Sequence, residues 1–534
     1  MQKNEVWRGT CEGYTYDGEG VVHIGGIVFF VPGLLEGEEA ELGITAMKKN
    51  YGYARIIRLL KPSEHRVKPA CSVYRKCGGC QLMHMDEETQ KRFKEDKVRG
   101  VFRQNARMEI SPEPILTEEH RTGYRNKVQV PVQVIDGKVL MGFYQPRSNT
   151  IVEFDRCWVQ TDLSNAIIRD CHRWFAELSC AKAMRFVLIK HAHMTGQVMV
   201  CLVVREYPFR NSDQLVSRLT AKYPQIVSIL AVINRREDNV ILDGKEITVW
   251  GKPYIEEELL GCRFRISARS FYQINPYATR ILYSKALEAA GLTGRETVID
   301  LYCGTGTIGI LASMHAKKVY GIEIVHDAVK DAEINARINH RENIDFFTAD
   351  AQAGARKLIA NHIRADVVIV DPPRKGCSED TLKAILKISP DRLVYVSCDP
   401  ATLARDAAFM CSNGYELKLV QPVDLLPGTL HVETVVQLSK GSISSQNVRV
   451  EFSLEELDMS GFRQGATYEK IQEWVQEKYG FHVTHLNIAQ VKRKHGIIER
   501  QNYNKPKSPD SKQPGCPEDK TRAIETALKH FQMI

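Results

Sequence analysis

Three short stretches carry reactive side chains at strand ends. In the first, Asp300-Leu-Tyr-Cys-Gly-Thr-Gly-Thr-Ile-Gly309, glycines 304, 306 and 309 form a G-x-G-x-x-G run between a strand pattern and a helical one. Missing side chains let the backbone approach a ligand, and the helix start offers free N–H groups. Glu323 follows 19 residues after Gly304, at the end of the next strand pattern. A carboxylate there can accept both hydroxyls of a ribose. These residues point to a nucleoside site, with NAD and S-adenosylmethionine as its two candidates. Asp350 ends a third strand pattern and can reach an adenine amino group; it suits a helix cap equally well.

The second stretch, Val-Ile-Val-Asp371-Pro-Pro-Arg374, delivers a carboxylate to the edge of a buried strand. Two prolines stiffen the loop and each removes a backbone donor. The third, Val-Tyr-Val-Ser-Cys398-Asp-Pro, puts a thiol at the end of the next strand and before a helix. A helix N-terminus lowers a thiol pKa below its ordinary ~8.5 and favours the thiolate. Cys303 and Cys377 are rival nucleophiles, and Cys303 ranks second because it faces the cofactor loop. Glu433 begins the apolar strand Glu-Thr-Val-Val-Gln, where a carboxylate can serve as a general base or as a salt-bridged edge residue.

A nucleoside site, a thiol and a base on one sheet suit a covalent methyl transfer. Uracil C5 is a poor nucleophile. Addition of a thiolate at C6 makes the ring an enolate whose C5 can take a methyl group from a sulfonium. A base must then remove the C5 proton so that the thiol can leave.

The elements that position these groups follow from the residue pattern. Strands alternate with helices over residues 270 to 440, which predicts a doubly wound α/β sheet with ligands at the carboxyl ends of its strands. Residues 1–60 alternate apolar and polar positions around Gly and Asp-Gly signals and predict a small antiparallel barrel. Its end mixes Lys48, Lys49, Arg55, Arg58 and Lys61 with Tyr51 and Tyr53. That mixture suits RNA, and equally a solvated rim over core tyrosines. Residues 121 to about 265 read as antiparallel strands, with a hairpin turn at Asp136-Gly137 and a helix near 161–178. A tail after 440 opens on the polar junction GSISSQ. It contains two amphipathic helices and the Pro/Lys/Ser-rich loop KPKSPDSKQPGCPEDK; its patch VKRKHG can meet RNA but also suits a solvated helix end.

The motifs DLYCGTGTIGI, DPPRKG, VSCDPATLARD and HVETVVQL resemble the RNA 5-methyluridine methyltransferases, in the right order. The resemblance runs from residue 1 to about 440 and is nearest to the 23S ribosomal RNA enzymes. It implies a Rossmann-like S-adenosylmethionine-dependent methyltransferase domain, with Cys398 as nucleophile and Glu433 as base. It assigns Gln273, Tyr302, Glu323, Asp350 and Asp371 to the cofactor. Residues 1–60 resemble the TRAM barrel of those enzymes.

Cys71-x5-Cys77-Gly-Gly-Cys80 packs three thiols into ten residues. Such spacing can hold zinc or an iron–sulfur cluster, and does not choose between them. A fourth ligand is required; Cys157, Cys11, Cys171 and Cys180 are candidates. The resemblance implies a [4Fe–4S] cluster on Cys71, Cys77, Cys80 and Cys157.

The chain of 534 residues is 43% hydrophobic and 26% charged, which suits several globular cores and excludes wholesale disorder. A net charge of +8 permits a polyanionic partner without demanding one. No run approaches the ~20 apolar residues of a membrane span, and the N-terminus lacks a signal-type apolar segment. The reading is of a cytoplasmic monomer acting on RNA, ribosomal RNA first and transfer RNA second, with no membrane. Its parts are a barrel (1–60), a central α+β domain (61–265), a catalytic domain (266–440) and a C-terminal extension (441–534). Rival readings are a cytosine-C5 enzyme, a noncatalytic RNA-binding cluster protein on a methyltransferase fold and, more distantly, an NAD oxidoreductase.

Overall fold

Glycine-punctuated strands at the N-terminus close on themselves. In the computed structural model, which describes residues 1–238, 240–441, 468–495, 516–531 and 533, these are β1 (Val6–Tyr14), β2 (Glu19–Ile24), β3 (Ile27–Pro32), β4 (Glu39–Met47) and β5 (Tyr51–Lys61). They form a closed barrel in the order β1-β2-β3-β5-β4. Its pairings are antiparallel except that of β3 with β5. Gly25 and Gly26 have φ of +56° and +77°, the left-handed backbone of a two-residue hairpin turn, and so set Ile24 opposite Ile27. Alternate residues Val22, Phe29, Val31 and Leu42 fill the interior.

Helix α1 (Glu87–Val101) starts where the Asp86 carboxylate accepts the Thr89 N–H, and runs on as a π-helical turn, Phe102–Ala106. Next comes a six-stranded sheet of β6 (Lys127–Ile135), β7 (Lys138–Met141), β10 (Met184–His191), β11 (Val198–Val204), β12 (Ile226–Ile233) and β13 (Lys245–Gly251), ordered β13-β12-β11-β10-β6-β7. A two-residue ribbon, β8 (Phe143–Tyr144) with β9 (Ile151–Val152), lies between in sequence. The expected hairpin at Asp136-Gly137 joins β6 to β7. β11, VMVCLVV, is buried at every position because both faces of the sheet are covered. Helices α2 (Asp162–Glu177) and α3 (Ser212–Lys222) contribute Phe175 and Leu219 to one face. On the other face Leu188, Met199 and Leu230 share a core with the ribbon β14 (Tyr254–Leu259) and β15 (Cys262–Ser267), and with a further sheet.

That last sheet is doubly wound, as the alternating pattern predicts. It comprises β16 (Thr297–Leu301), β17 (Lys318–Glu323), β18 (Ile344–Thr348), β19 (Val367–Val370), β20 (Arg392–Ser397), β21 (Tyr415–Val423) and β22 (Glu433–Lys440), ordered β18-β17-β16-β19-β20-β22-β21. The first five are parallel; β22 runs antiparallel to both β20 and β21. The order reverses between β16 and β19, where such sheets bind ligands. Helices α4 (Pro276–Ala290), α5 (Thr307–Ser313), α6 (His326–Ile338), α7 (Ala351–Ala360), α8 (Glu379–Ile388) and α9 (Pro400–Cys411) accompany the sheet. β21 is absent from the expected strands. Its start carries Glu416 and Lys418 on the open edge of the sheet, so its apolar signal is weak.

Backbone contacts divide the chain into two compact units, Met1–Ile443 and Ser444–Ile534. In the second unit, α10 (Tyr468–Tyr479), α11 (His485–Lys494) and α12 (Glu518–His530) bury Ile471, Val475, Ile488, Val491 and Ile524 together. Two of these helices match the expected amphipathic segments; α11, whose end carries the VKRKH patch, is additional. The GSISSQ junction after Gly441 and most of the KPKSPDSKQPGCPEDK loop lie outside the described residues. Among the described residues no helix is long and apolar enough to cross a membrane.

Candidate active site

The register of two strands brings the thiol and the carboxylate together. Ser397 pairs with Thr434 across β20 and β22, so Cys398 and Glu433 are the next pair outward. Both line a cavity of about 930 Å³ at the carboxyl edge of the sheet. Gln273, Tyr302 and Asp371 line it too, as does the glycine loop at Gly304 and Thr305. Gly304 has φ +54°, and a Cβ there would meet no atom within 4 Å, so the loop backbone faces open space.

Glu433 is buried. Its Oε1 lies 2.8 Å from His431 Nε2, while Oε2 is buried without a hydrogen-bond partner among the described residues. Asp371 stands well above the ordinary carboxylate range, first through burial and then through the nearby charges of Glu433 and Asp300. Burial likewise lifts Asp300 to about 7. The site therefore gathers acidic groups that resist sharing charge.

The expectation of a lowered Cys398 thiol is corrected. Burial, then Glu433 and Asp371, push it up to about 12. The helix-end N–H groups of Ala401 and Thr402 bond the Asp399 carboxylate instead of the thiol. Of the three sulfurs considered, Cys398 is the partly open one; Cys303 and Cys377 are buried.

Two expected cofactor residues stand apart from the cavity lining. The Glu323 carboxylate accepts the N–H groups of Gly304, at 3.1 Å, and Val325, at 2.9 Å, tying the glycine loop to the end of β17. Asp350 is exposed and caps α7 by accepting the Ala353 N–H at 3.0 Å. Tyr302 has φ +65°, a left-handed backbone unusual outside glycine and typical of constrained functional loops.

The sequence motifs do not reveal the brace beneath the site. The buried Asp406 carboxylate accepts from Tyr395 Oη at 2.7 Å, the Cys377 N–H at 2.9 Å and Arg405 Nε at 2.7 Å. Thr402 Oγ1 donates to the Arg374 carbonyl at 3.1 Å. These bonds tie the Asp-Pro-Pro loop to the helix that follows Cys398. Asp406 belongs to the motif VSCDPATLARD, but its partners become visible only in three dimensions. Phe271, 66% exposed at the cavity rim, has no sequence signal at all.

Cys71, Cys77, Cys80 and Cys157 line a second cavity, of about 400 Å³. It shares Gly79, Arg125, Ile274 and Thr429 with the first. Burial, then the thiols of Cys157, Cys77 and Cys71, push Cys80 up to about 12. Among the described residues no group of three or more His, Cys, Asp or Glu is arranged to hold a metal ion. The alternative fourth thiols, Cys11, Cys171 and Cys180, are buried in apolar cores.

Comparison with known proteins agrees with this geometry. Residues 194–441 match the family model described as tRNA (Uracil-5-)-methyltransferase. An uncharacterized RNA methyltransferase of Clostridium tetani is 40% identical over 82% of this chain and 97% of its own. One from Halalkalibacterium halodurans is 41% identical over 82% of this chain and 98% of its own. The crystal structure of Pyrococcus abyssi tRNA (uracil-54, C5)-methyltransferase in complex with S-adenosyl-L-homocysteine aligns with a TM-score of 0.65 and 28% identity. It covers 81% of this chain and 99% of that one. Agreement of this extent, in sequence and in fold, means that the chain belongs to the S-adenosylmethionine-dependent RNA uracil-5 methyltransferase family.

Proposed function

We propose that the protein methylates C5 of uracil in RNA through a covalent adduct, with Cys398 as nucleophile and Glu433 as base. The observation that carries this reading is the placement of both side chains as neighbours at the ends of β20 and β22, in one cavity with the glycine loop. S-adenosylmethionine supplies an electrophilic methyl group when bound. The residues present fit it: the Gly304 backbone faces open space, and Gln273, Tyr302 and Asp371 line the same cavity. Glu323 and Asp350, at the ends of the adjacent strands β17 and β18, are assigned to its nucleoside.

The chain's own steps follow. Cys398 adds to C6 as thiolate, and the C5–C6 electron pair moves toward O4. C5 then takes the methyl group. Glu433 removes the C5 proton, the double bond re-forms, the C6–S bond breaks and the thiolate leaves. His431, hydrogen-bonded to Glu433, is placed to pass that proton outward.

We assign Cys71, Cys77, Cys80 and Cys157 to a [4Fe–4S] cluster that staples the central domain. Their shared cavity and mutual electrostatic effect support it. The reading divides the chain at about 60, 265 and 440 and takes it to work as a cytoplasmic monomer.

Ribosomal RNA is the substrate we propose. Transfer RNA is the second reading, favoured by one observation: the archaeal tRNA enzyme aligns with 81% of this chain. An alignment that long weakens the barrel and cysteine cluster as marks of a ribosomal substrate.

The chemistry is tested with Glu433→Gln. Incubated with S-adenosylmethionine and RNA, this variant is expected to accumulate a protein–RNA adduct that survives a denaturing gel, because the methylated ring cannot lose its C5 proton. Free migration of protein and RNA would refute the base assignment.

A further inference from the structure

The turn between β1 and β2 of the barrel reaches into the catalytic cavity. Tyr16 and Asp17 line it, as does Lys97 of α1. Tyr16 Oη donates to Asp399 Oδ1 at 3.3 Å, and Asp399 directly follows Cys398. The Lys97 ammonium lies 3.9 Å from the centre of the Tyr16 ring. Its Nζ also donates to the Leu430 carbonyl at 3.0 Å, three residues before Glu433. The turn is wedged tightly: a Cβ on Gly18 would come within 2.6 Å of Leu430 Cδ2. Beneath it Leu35, Leu82, Met85 and Phe93 form a small core onto which Tyr14 and Leu430 pack.

One tyrosine and one lysine thus touch both loops that carry the proposed chemistry. Neither side chain is needed to close the barrel, whose own core is separate. An ammonium placed over an aromatic face is held by the ring's electron density, and this one is also half-buried. We propose that Tyr16 and Lys97 are positioning residues of the active site: through Asp399 and Leu430 they hold the loops of Cys398 and Glu433 at the separation that uracil requires. The inference rests on the assignment of the chemistry to Cys398 and Glu433. On this account the barrel forms one wall of the reaction chamber.

The test uses the full-length protein with labelled methyl donor and RNA under saturating and subsaturating conditions. Tyr16→Phe is expected to lower kcat about fivefold and Lys97→Met about thirtyfold, since one and two tethers are lost, each of the size that a hydrogen bond confers. KM for S-adenosylmethionine is expected to stay within twofold, and Lys97→Arg to recover most of the rate. Tyr16→Phe removes a single oxygen, so it carries the test even if Lys97→Met folds poorly. Wild-type kcat in both variants, or a rise confined to the KM for RNA, would overturn the inference. Wild type run in parallel separates the two claims. No 5-methyluridine from wild type refutes the underlying reading. A methylating wild type with variants of unchanged kcat refutes the positioning role alone.

Discussion

Removing the Asp406 carboxylate should loosen the loop that carries Asp371 and cost the first unit about 2 kcal/mol of stability. The figure follows from its partners. Asp406 and Tyr395 are fully enclosed, and the carboxylate accepts from Tyr395 Oη, the Cys377 N–H and Arg405 Nε. Asp406→Ala strands the buried Tyr395 hydroxyl, while the Cys377 amide keeps its 3.2 Å bond to Tyr395 Oη. One unsatisfied buried group costs ~1–3 kcal/mol. Arg405 is 54% exposed, so its guanidinium returns to water and adds little. Tyr395→Phe leaves Asp406 with two donors and should cost only ~1–2 kcal/mol. The double variant should cost about 1 kcal/mol less than the sum, because both changes remove the same bond. Chemical denaturation of the four proteins measures these values, and hydrogen exchange over residues 371–377 reports the loop itself. A loss below about 1 kcal/mol in Asp406→Ala, or strict additivity, would refute the brace.

Other consequences are open to direct measurement. With its thiol lifted to about 12, Cys398 in the free enzyme should alkylate slowly at pH 7, about tenfold faster for each pH unit up to 10, without a plateau. The sign follows from the cause: burial and neighbouring carboxylates favour the neutral thiol, so the reactive form grows as protons are withdrawn. Glu433→Gln removes one of those charges and should speed alkylation at fixed pH. Peptide-resolved mass spectrometry reads both, and a fast plateau already reached at pH 7 would contradict them. Protein prepared without oxygen should be brown, with iron and sulfide near four each per chain, and Cys157→Ser should lose both. Stoichiometric zinc without iron would refute the cluster.

Much of the architecture is legible because periodicity reports burial. The barrel, the Asp136-Gly137 hairpin and the alternation around β16 to β20 all announce themselves through spacing and glycine. β21 does not, since Glu416 and Lys418 interrupt its apolar pattern at an exposed edge. Site chemistry is legible where a motif ends a strand, as at Cys398, Asp371 and Glu433. It fails where environment decides. A helix start after Cys398 suggests a lowered thiol, yet Asp399 takes the helix N–H groups and two carboxylates oppose ionisation. Asp350 caps a helix, which is the alternative its position at the end of β18 already offered. The contact of Tyr16 with Asp399 spans 383 residues, beyond the reach of any local pattern.

The most direct test of the central claim is methyl transfer from labelled S-adenosylmethionine to unmodified ribosomal and transfer RNA, followed by nucleoside analysis, with wild type and Cys398→Ala side by side. The account predicts label in 5-methyluridine with wild type and none with Cys398→Ala, which should still bind the methyl donor. The RNA that carries the label names the substrate. Label in 5-methylcytidine, or continued turnover by Cys398→Ala, would contradict it.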